Sequence, residues 1–197
     1  FYEMAVFRLL PNGDLDTTFS GDGSIWGAGF LGESEAKALA IQPNGSIVVV
    51  GTGSSGSSVD MAVFRLTSAG ALDTTFSTDG RTTIDFGGAT GESAEGVHIL
   101  ANGKILVAGT ANPVSPNFAL ARLNSNGSLD TTLDLDGKVT TDIPGGGDYA
   151  YAMVLQSDGK IILAGTAAYD NALVRYNTDG TLDGTFGTGG VVTTSLD

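Results

Sequence analysis

The chain has 197 residues, 41% of them hydrophobic, with 30 glycines and few aromatics; this supports a core but points to short strands joined by tight turns rather than to helices. Nine Lys and Arg against 22 Asp and Glu give a formal charge of −13, which argues against nucleic acid as a partner, because phosphate binding needs a basic stripe. There is no cysteine, which leaves the redox compartment open. No apolar run is long enough for a transmembrane helix, and no signal peptide is visible; the first residue is Phe1, so any targeting segment lies outside this sequence.

The chain repeats itself. Leu-Asp-Thr-Thr-Phe-Ser at Leu15 returns at Leu72, at Leu129 as Leu-Asp-Thr-Thr-Leu-Asp and at Leu182 as Leu-Asp-Gly-Thr-Phe-Gly, at intervals of 57, 57 and 53 residues. Self-similarity at a fixed period marks an array of identical supersecondary units. Four stretches of strand character recur in each unit, lettered a to d. In chain order they are d at Met4 to Leu10; a at Ser24 to Phe30, b at Ala36 to Gln42, c at Ser46 to Thr52 and d at Met61 to Leu66; then a at Arg81 to Phe86, b at Ala94 to Leu100, c at Lys104 to Thr110 and d at Phe118 to Leu123. The third set is a at Lys138 to Ile143, b at Ala150 to Gln156, c at Lys160 to Thr166 and d at Ala172 to Tyr176, and the chain closes on a at Gly190 to Leu196.

Strands b and c are joined by Asn44-Gly45, Asn102-Gly103 and Asp158-Gly159, dipeptides expected to form primed hairpin turns. Strand c is apolar at successive positions (Ile47 to Val50, Ile105 to Ala108, Ile161 to Ala164), so both of its faces must be buried, as in a sheet stacked between two others. Strand b alternates small residues, Ala36/Ala38/Ala40, Ala94/Gly96 and Ala150/Ala152, which lets neighbouring sheets approach closely. A period near 57 with four antiparallel strands fits one β-propeller blade, whereas a β-solenoid has shorter coils. The expected architecture is therefore an all-β propeller segment of about three and a half repeats in one repeat domain, 1–197, with a partial unit 1–23, repeats 24–80, 81–137 and 138–189, and a partial unit 190–197.

The combined pattern Ala-x-Ala-x-x-x-Gln-x-[Asn/Asp]-Gly-Lys-Ile-x-x-Ala-Gly-Thr followed by Ala-x-x-Arg-[Leu/Tyr]-Asn-x-[Asn/Asp]-Gly-x-Leu-Asp-x-Thr-Phe-Gly, seen best at Tyr149 to Gly187, resembles the delta-60 repeat of large bacterial secreted or surface proteins. That resemblance covers essentially the whole chain. It implies a propeller-like, export-associated module and brings no catalytic residues. The first unit departs from the pattern around Ile25-Trp26-Gly27-Ala28, and the third has Leu133 in place of the phenylalanine.

The strongest candidate chemistry lies in the loop from d to a. Asp16 and Asp22, Asp73 and Asp79, and Asp130 and Asp136 are carboxylate pairs six residues apart, while in the fourth unit Asp183 has Gly189 as its mate. Such pairs could offer hard oxygen ligands to calcium; alternatively the first Asp caps a turn and the second enters an Asp-Gly turn. Arg8, Arg65, Arg122 and Arg175 each stand eight residues before the first Asp, which predicts an ion pair pinning the d–a connection and a poorer calcium ligand. His98 is the only histidine and has no partners for a zinc site or a hydrolase triad. Glu33, Glu35, Glu92 and Glu95 enter strand b and could in principle serve a glycosidase, but read better as a solvated loop. Trp26, Phe30, Tyr149, Tyr151 and Tyr169 are the rings that could stack on sugar.

The expectation is a non-enzymatic structural or interaction module of a bacterial extracellular or cell-surface protein, binding a protein or glycan surface, with no nucleic acid, no membrane insertion and no required cofactor beyond possible calcium. The competing expectation is a carbohydrate-active propeller, lectin or glycosidase. Because the chain opens on d and closes on a, Met4 to Phe7 and Val191-Val192 are expected to present unpaired edges, completed by another copy or by further parts of a longer polypeptide.

Overall fold

The computed structural model describes residues 3–27, 30–54, 58–87, 91–111 and 114–195, with the backbone alone for 31–33. The expectations at Ala28, at Leu196 and for the side chain of Glu33 lie outside the described residues. Among the described residues every regular element is a strand, and none of them forms a helix long and apolar enough to cross a membrane. A two-stranded sheet pairs β1 (Ala5–Phe7) with β2 (Ser24–Trp26). Next come β3 (Leu31–Ile41), β4 (Ile47–Ser54), β5 (Val59–Leu66) and β6 (Arg81–Ile84), which lie side by side in that order. The same antiparallel order holds for β7 (Ser93–Ile99), β8 (Ile105–Ala111), β9 (Asn117–Leu123) and β10 (Lys138–Thr141). It holds again for β11 (Asp148–Leu155), β12 (Ile161–Ala167), β13 (Asp170–Tyr176) and β14 (Val191–Thr194).

Each sheet therefore runs b-c-d-a, so strand a completes the sheet of the preceding b, c and d rather than opening the next. The blade is cut differently from the a-b-c-d grouping used for the sequence repeats. Val191 and Val192 consequently pair with Val174 and Leu173 in their own blade, and the expected stray edge there is the ordinary outer edge that β6 and β10 also carry. At the other end, β1 pairs with β2 alone among the described residues.

The sheets stack face to face, with an apolar layer between each neighbouring pair. Alternate side chains of strand c point into opposite layers: Ile47 and Val49 pack with Met4, Val6 and Phe19, whereas Val48 and Val50 pack with Ile105, Val107 and Ala119. In the next blade Leu106 and Ala108 pack with Ile161, Leu163, Val174 and Tyr176. Burial on both faces is thus what the unbroken apolar runs require, each buried Val, Leu or Ile contributing roughly 1.5–3 kcal/mol.

The b strands β3, β7 and β11 come together at one end of the sheets, and their small residues allow it: a Cβ on Gly96 would lie 3.2 Å from that of Met153 in the next b strand. Each b strand also carries a bulge, between Ala36 and Ala38, Ala94 and Gly96, and Ala150 and Ala152. Opposite it stands the glycine of Ala-Gly-Thr or Val-Gly-Thr, where a Cβ on Gly51, Gly109 or Gly165 would sit 1.8–1.9 Å from the carbonyl oxygen of Glu35, Ser93 or Tyr149. These glycines are required by close backbone approach at the bulge.

The b–c connections differ from the primed turns expected. Only the glycine has positive φ, 84° at Gly45, 82° at Gly103 and 84° at Gly159, and Gly45 N–H donates to Gln42 O at 2.8 Å. This is a type I turn followed by a left-handed glycine, with Asn44 Oδ1 accepting from Ser46 N–H at 3.0 Å.

Candidate functional site

The loop from d to a is the most elaborated polar structure in the molecule. The expected ion pair is present in all four copies: Arg8 Nε donates to Asp16 and Arg65 Nε to Asp73 at 2.8 Å, Arg175 Nε to Asp183 at 2.7 Å, and Arg122 Nε to Asp130. The other carboxylate oxygen accepts from the Thr two residues on, so that Asp73 Oδ1 binds Thr75 Oγ1 at 2.6 Å and Thr75 N–H at 3.0 Å. That same Thr hydroxyl accepts from Arg65 Nη2 at 3.0 Å. The loop also folds back on its strand, Asp73 N–H donating to Arg65 O at 2.9 Å and Phe76 N–H to Asp73 O at 2.9 Å.

The third arm of the guanidinium leaves the blade. Arg8 Nη1 donates to Ser68 O at 2.5 Å, Arg65 Nη1 to Ser125 O at 2.6 Å and Arg122 Nη1 to Thr178 O at 2.6 Å. Each of these carbonyls belongs to the turn that leaves strand d in the following blade. A backbone bond reinforces each one: Ser20 N–H to Ala69 O and Ser77 N–H to Asn126 O at 2.8 Å, and Asp134 N–H to Asp179 O at 3.0 Å. The guanidinium also lies over the loop phenylalanine, 4.9 Å from the ring centroids of Phe19 and Phe76. Against those rings sit Gly70 and Gly127 of the next blade, where a Cβ would come within 2.9 and 3.1 Å.

A second cation was not foreseen. Lys104 Nζ donates to Asp130 at 2.7 Å and Lys160 Nζ to Asp183 at 2.8 Å, whereas Ser46 occupies the corresponding position beside Asp73. The recurring Gly-Lys-Ile held the only sequence signal, since the lysine and its Asp are 26 and 23 residues apart. At Asp130 burial pushes the carboxyl upward, but hydrogen bonds from Lys104, Thr132 and Arg122 outweigh it and hold it well below the usual range. Lys160 and Thr185 do the same at Asp183. Thr18 lowers Asp16 and Thr75 lowers Asp73, each with help from its arginine.

The second acidic residue of each candidate calcium pair is a turn residue here. Asp22 Oδ1 accepts from Ser24 N–H at 2.8 Å, Asp136 Oδ1 from Lys138 N–H at 2.8 Å, and Asp79 pairs with Arg81 Nε at 2.9 Å. The structure thus places Asp16, Asp73 and Asp130 on arginines, and Asp22, Asp79 and Asp136 at the entry to strand a. Among the described residues the one group of three acidic side chains close enough to share a cation is elsewhere, Asp60, Asp85 and Glu92, with ligand atoms within 4.8 Å of one another.

Glu92 is fully buried, and its two oxygens each accept from Phe86 N–H at 3.0 Å. Asp148 repeats this role, accepting from Ile143 N–H at 2.6 Å; burial, with Asp142 nearby, raises its carboxyl despite that bond. Glu35 pairs with Lys37 at 2.9 Å and Glu95 accepts from Ser93 Oγ at 2.6 Å. His98 is an exposed strand residue opposite Leu106. Of the aromatic candidates, Trp26, Tyr149, Tyr151 and Tyr169 are exposed; Trp26 stands edge-on to Phe7 at 5.3 Å, and Phe30 packs on Phe64.

Antiparallel four-stranded sheets, drawn together at their b strands and stapled blade to blade by one repeated loop, define a β-propeller repeat protein. The family described as "Domain of unknown function (DUF5122) beta-propeller" matches at residues 1–19, 42–76, 100–133 and 156–186. These segments span more than half of the chain, which therefore belongs to that family. The first segment covers strand d, its turn and the start of the d–a loop, and the other three run from the b–c turn through strands c and d into that loop, so each contains one Arg–Asp pair. Comparison with curated proteins finds no match.

Proposed function

We propose that this chain is a non-enzymatic structural or interaction module of a bacterial extracellular or cell-surface protein, built from repeats of the delta-60 kind. The observation that carries this reading is where the recurrent polar residues go. Arg, Asp and Thr, repeated at fixed offsets as catalytic groups would be, spend their hydrogen bonds on one another and on the neighbouring blade, and the lysines of two units join them. Glu92, the best placed acid for glycoside chemistry, is buried beneath Phe86 and serves its backbone. What the molecule offers to solvent is an acidic surface with scattered rings, suited to a protein or glycan contact.

The competing reading, a carbohydrate-active propeller, is supported by the exposed rings of Trp26, Tyr149 and Tyr151. A panel of chromogenic glycosides together with a glycan array separates the two. The module reading expects no turnover, and it expects antibody to the chain to find it in the envelope or medium fraction of the source cells. Hydrolysis that disappears in Glu92→Gln protein of unchanged melting temperature would replace it with the enzyme reading; glycan binding abolished by Tyr151→Ala would make the module a lectin.

A further inference from the structure

The arginine staple closes each junction where strand d leaves for the d–a loop. At the opposite end of the same two strands, where d starts and a finishes, the junctions collect oxygen atoms instead. Between the β3–β6 and β7–β10 blades the ligand atoms of Asp60, Asp85 and Glu92 all lie within 4.8 Å of one another. Asp60 stands near the start of β5, Asp85 follows β6 beside it in the ladder that pairs Met61 with Ile84, and Glu92 leads into β7 of the next blade. Asp60 and Glu92 are buried, whereas Asp85 is exposed. The main chain fixes their approach, since Glu92 N–H donates at 3.1 Å to Val59 O, next to Asp60. Lys138 reaches this corner too, but its Nζ donates to the backbone carbonyl of Asp85 at 2.7 Å rather than to its carboxylate, and lies 5.6 Å from the Phe86 ring centroid.

The following junction, between the β7–β10 and β11–β14 blades, repeats the arrangement with Asn117, Asp142 and Asp148, which stand 57, 57 and 56 residues further on. Asn117 opens β9, Asp142 follows β10 beside it, and Asp148 N–H donates to Pro116 O at 2.7 Å as Glu92 N–H does to Val59 O. Here the demand for a ligand is visible at single atoms. Asp148 is fully buried and its Oδ2 accepts from Ile143 N–H at 2.6 Å, while Oδ1 has no hydrogen-bond partner among the described residues; neither has the buried Oδ1 of Asn117. Two such oxygens in one buried corner call for a donor or a cation. Water would supply hydrogen bonds alone and leave Asp148 uncompensated, where burial and the charge of Asp142 both oppose its ionisation. A cation satisfies the oxygens and the charge together.

We propose that each of these two junctions binds a calcium ion, held by Asp60, Asp85 and Glu92 in one and by Asn117, Asp142 and Asp148 in the other. The donors are carboxylate and amide oxygens, the hard set that calcium takes, with none of the imidazole or thiolate that zinc prefers. Ligands on opposite sides of a calcium ion, each at about 2.4 Å, stand about 4.8 Å apart, so the three carboxylates of the first site fit round one ion. Backbone carbonyls and water complete the shell of about six to eight oxygens. Bound there, the ion ties strands d and a of one blade to strand b of the next, at the end of the junction that the arginine does not reach. The sites are distinct from the carboxylate pairs of the d–a loop, whose first Asp is spent on its arginine. The inference goes beyond the module reading and does not rest on it.

Calorimetric titration of calcium chloride into the full 197-residue chain, stripped with chelator, tests the proposal. Two ions per chain should bind with dissociation constants of about 0.1–1 mM, and the melting temperature should rise with calcium concentration. Magnesium, which demands a smaller octahedral shell, should bind about tenfold more weakly or worse. Asp85→Asn and Asp142→Asn change exposed positions and leave the buried residues in place; each should abolish one ion, and the double variant both. Asp22→Asn, in a turn entering strand a, should keep both. Absence of heat and of any melting shift up to about 10 mM calcium, binding that survives the double variant, or equal loss in Asp22→Asn from diffuse attraction to an acidic surface would overturn the proposal. A single ion, lost with only one of the two variants, would overturn the site at the other junction.

Discussion

Arg65 illustrates how one side chain does three jobs because its fork is rigid and planar. Nε neutralises Asp73, Nη2 reaches Thr75 and Nη1 crosses to Ser125 O in the next blade. Removing it strands a carboxylate with 15% exposure and an interblade carbonyl together. Arg65→Ala should therefore cost about 3 kcal/mol, lowering the melting temperature by roughly 6–12 °C for a chain of this size. Ser46→Lys, which copies Lys104 and Lys160 beside Asp73, should instead raise stability by about 0.5–1 kcal/mol, and should recover part of the Arg65→Ala loss in the double variant. Thermal melts of the four proteins measure both terms, and a lysine that destabilises the parent would refute the second. The Arg–Asp pair was legible from its constant spacing of eight residues. Its outward arm was not, since Arg65 and Ser125 are 60 residues apart.

Among the elements, the pairing of b with c shows the limits of local signals most clearly. The Asn-Gly and Asp-Gly dipeptides located the hairpins correctly, but they did not distinguish a primed two-residue turn from a type I turn closed by a left-handed glycine. That choice depends on the flanking register. Nor did periodicity announce the bulge, because an extra residue is defined only by the strand it faces. Gly109 is explained by it: a Cβ there would stand 1.9 Å from Ser93 O, with backbone unable to yield. Gly109→Ala should cost about 3 kcal/mol or more, whereas Gly21→Ala, with φ +87° and nothing within 4 Å, should cost only the left-handed strain of about 1–2 kcal/mol. Chemical denaturation of both variants provides the comparison. Equal losses would mean that the bulge carbonyl is not the constraint.

For the molecule as a whole, the repeated loop makes acid the expected weakness. Asp16, Asp73, Asp130 and Asp183 all have folded-state acidities strengthened by their partners. Groups lowered on folding contribute stability above their unfolded value of about 3.9 and lose it as pH falls through the folded one. Asp148 has the opposite shift, so its ionisation weakens the fold as pH rises through its folded value, and one such group does not reverse four. Stability should fall steadily below about pH 4, and Asp130→Asn, while less stable at neutral pH, should show a shallower acid decline. Melting temperatures between pH 2 and 7 check this, and parallel pH profiles for the two proteins would remove the assigned role of Asp130. By itself the sequence determined the strand stretches, the turns between them, the double-sided burial of strand c and the Arg–Asp pairs, because all of these follow from periodicity and short fixed offsets. Tertiary structure alone decided which sheet receives strand a, which lysine joins Asp130, that Asp148 and Glu92 serve a buried backbone, and that Arg65 reaches the following blade. Each of those depends on what lies beside a residue once the sheets have stacked, and local sequence carries no record of a neighbour that only packing supplies.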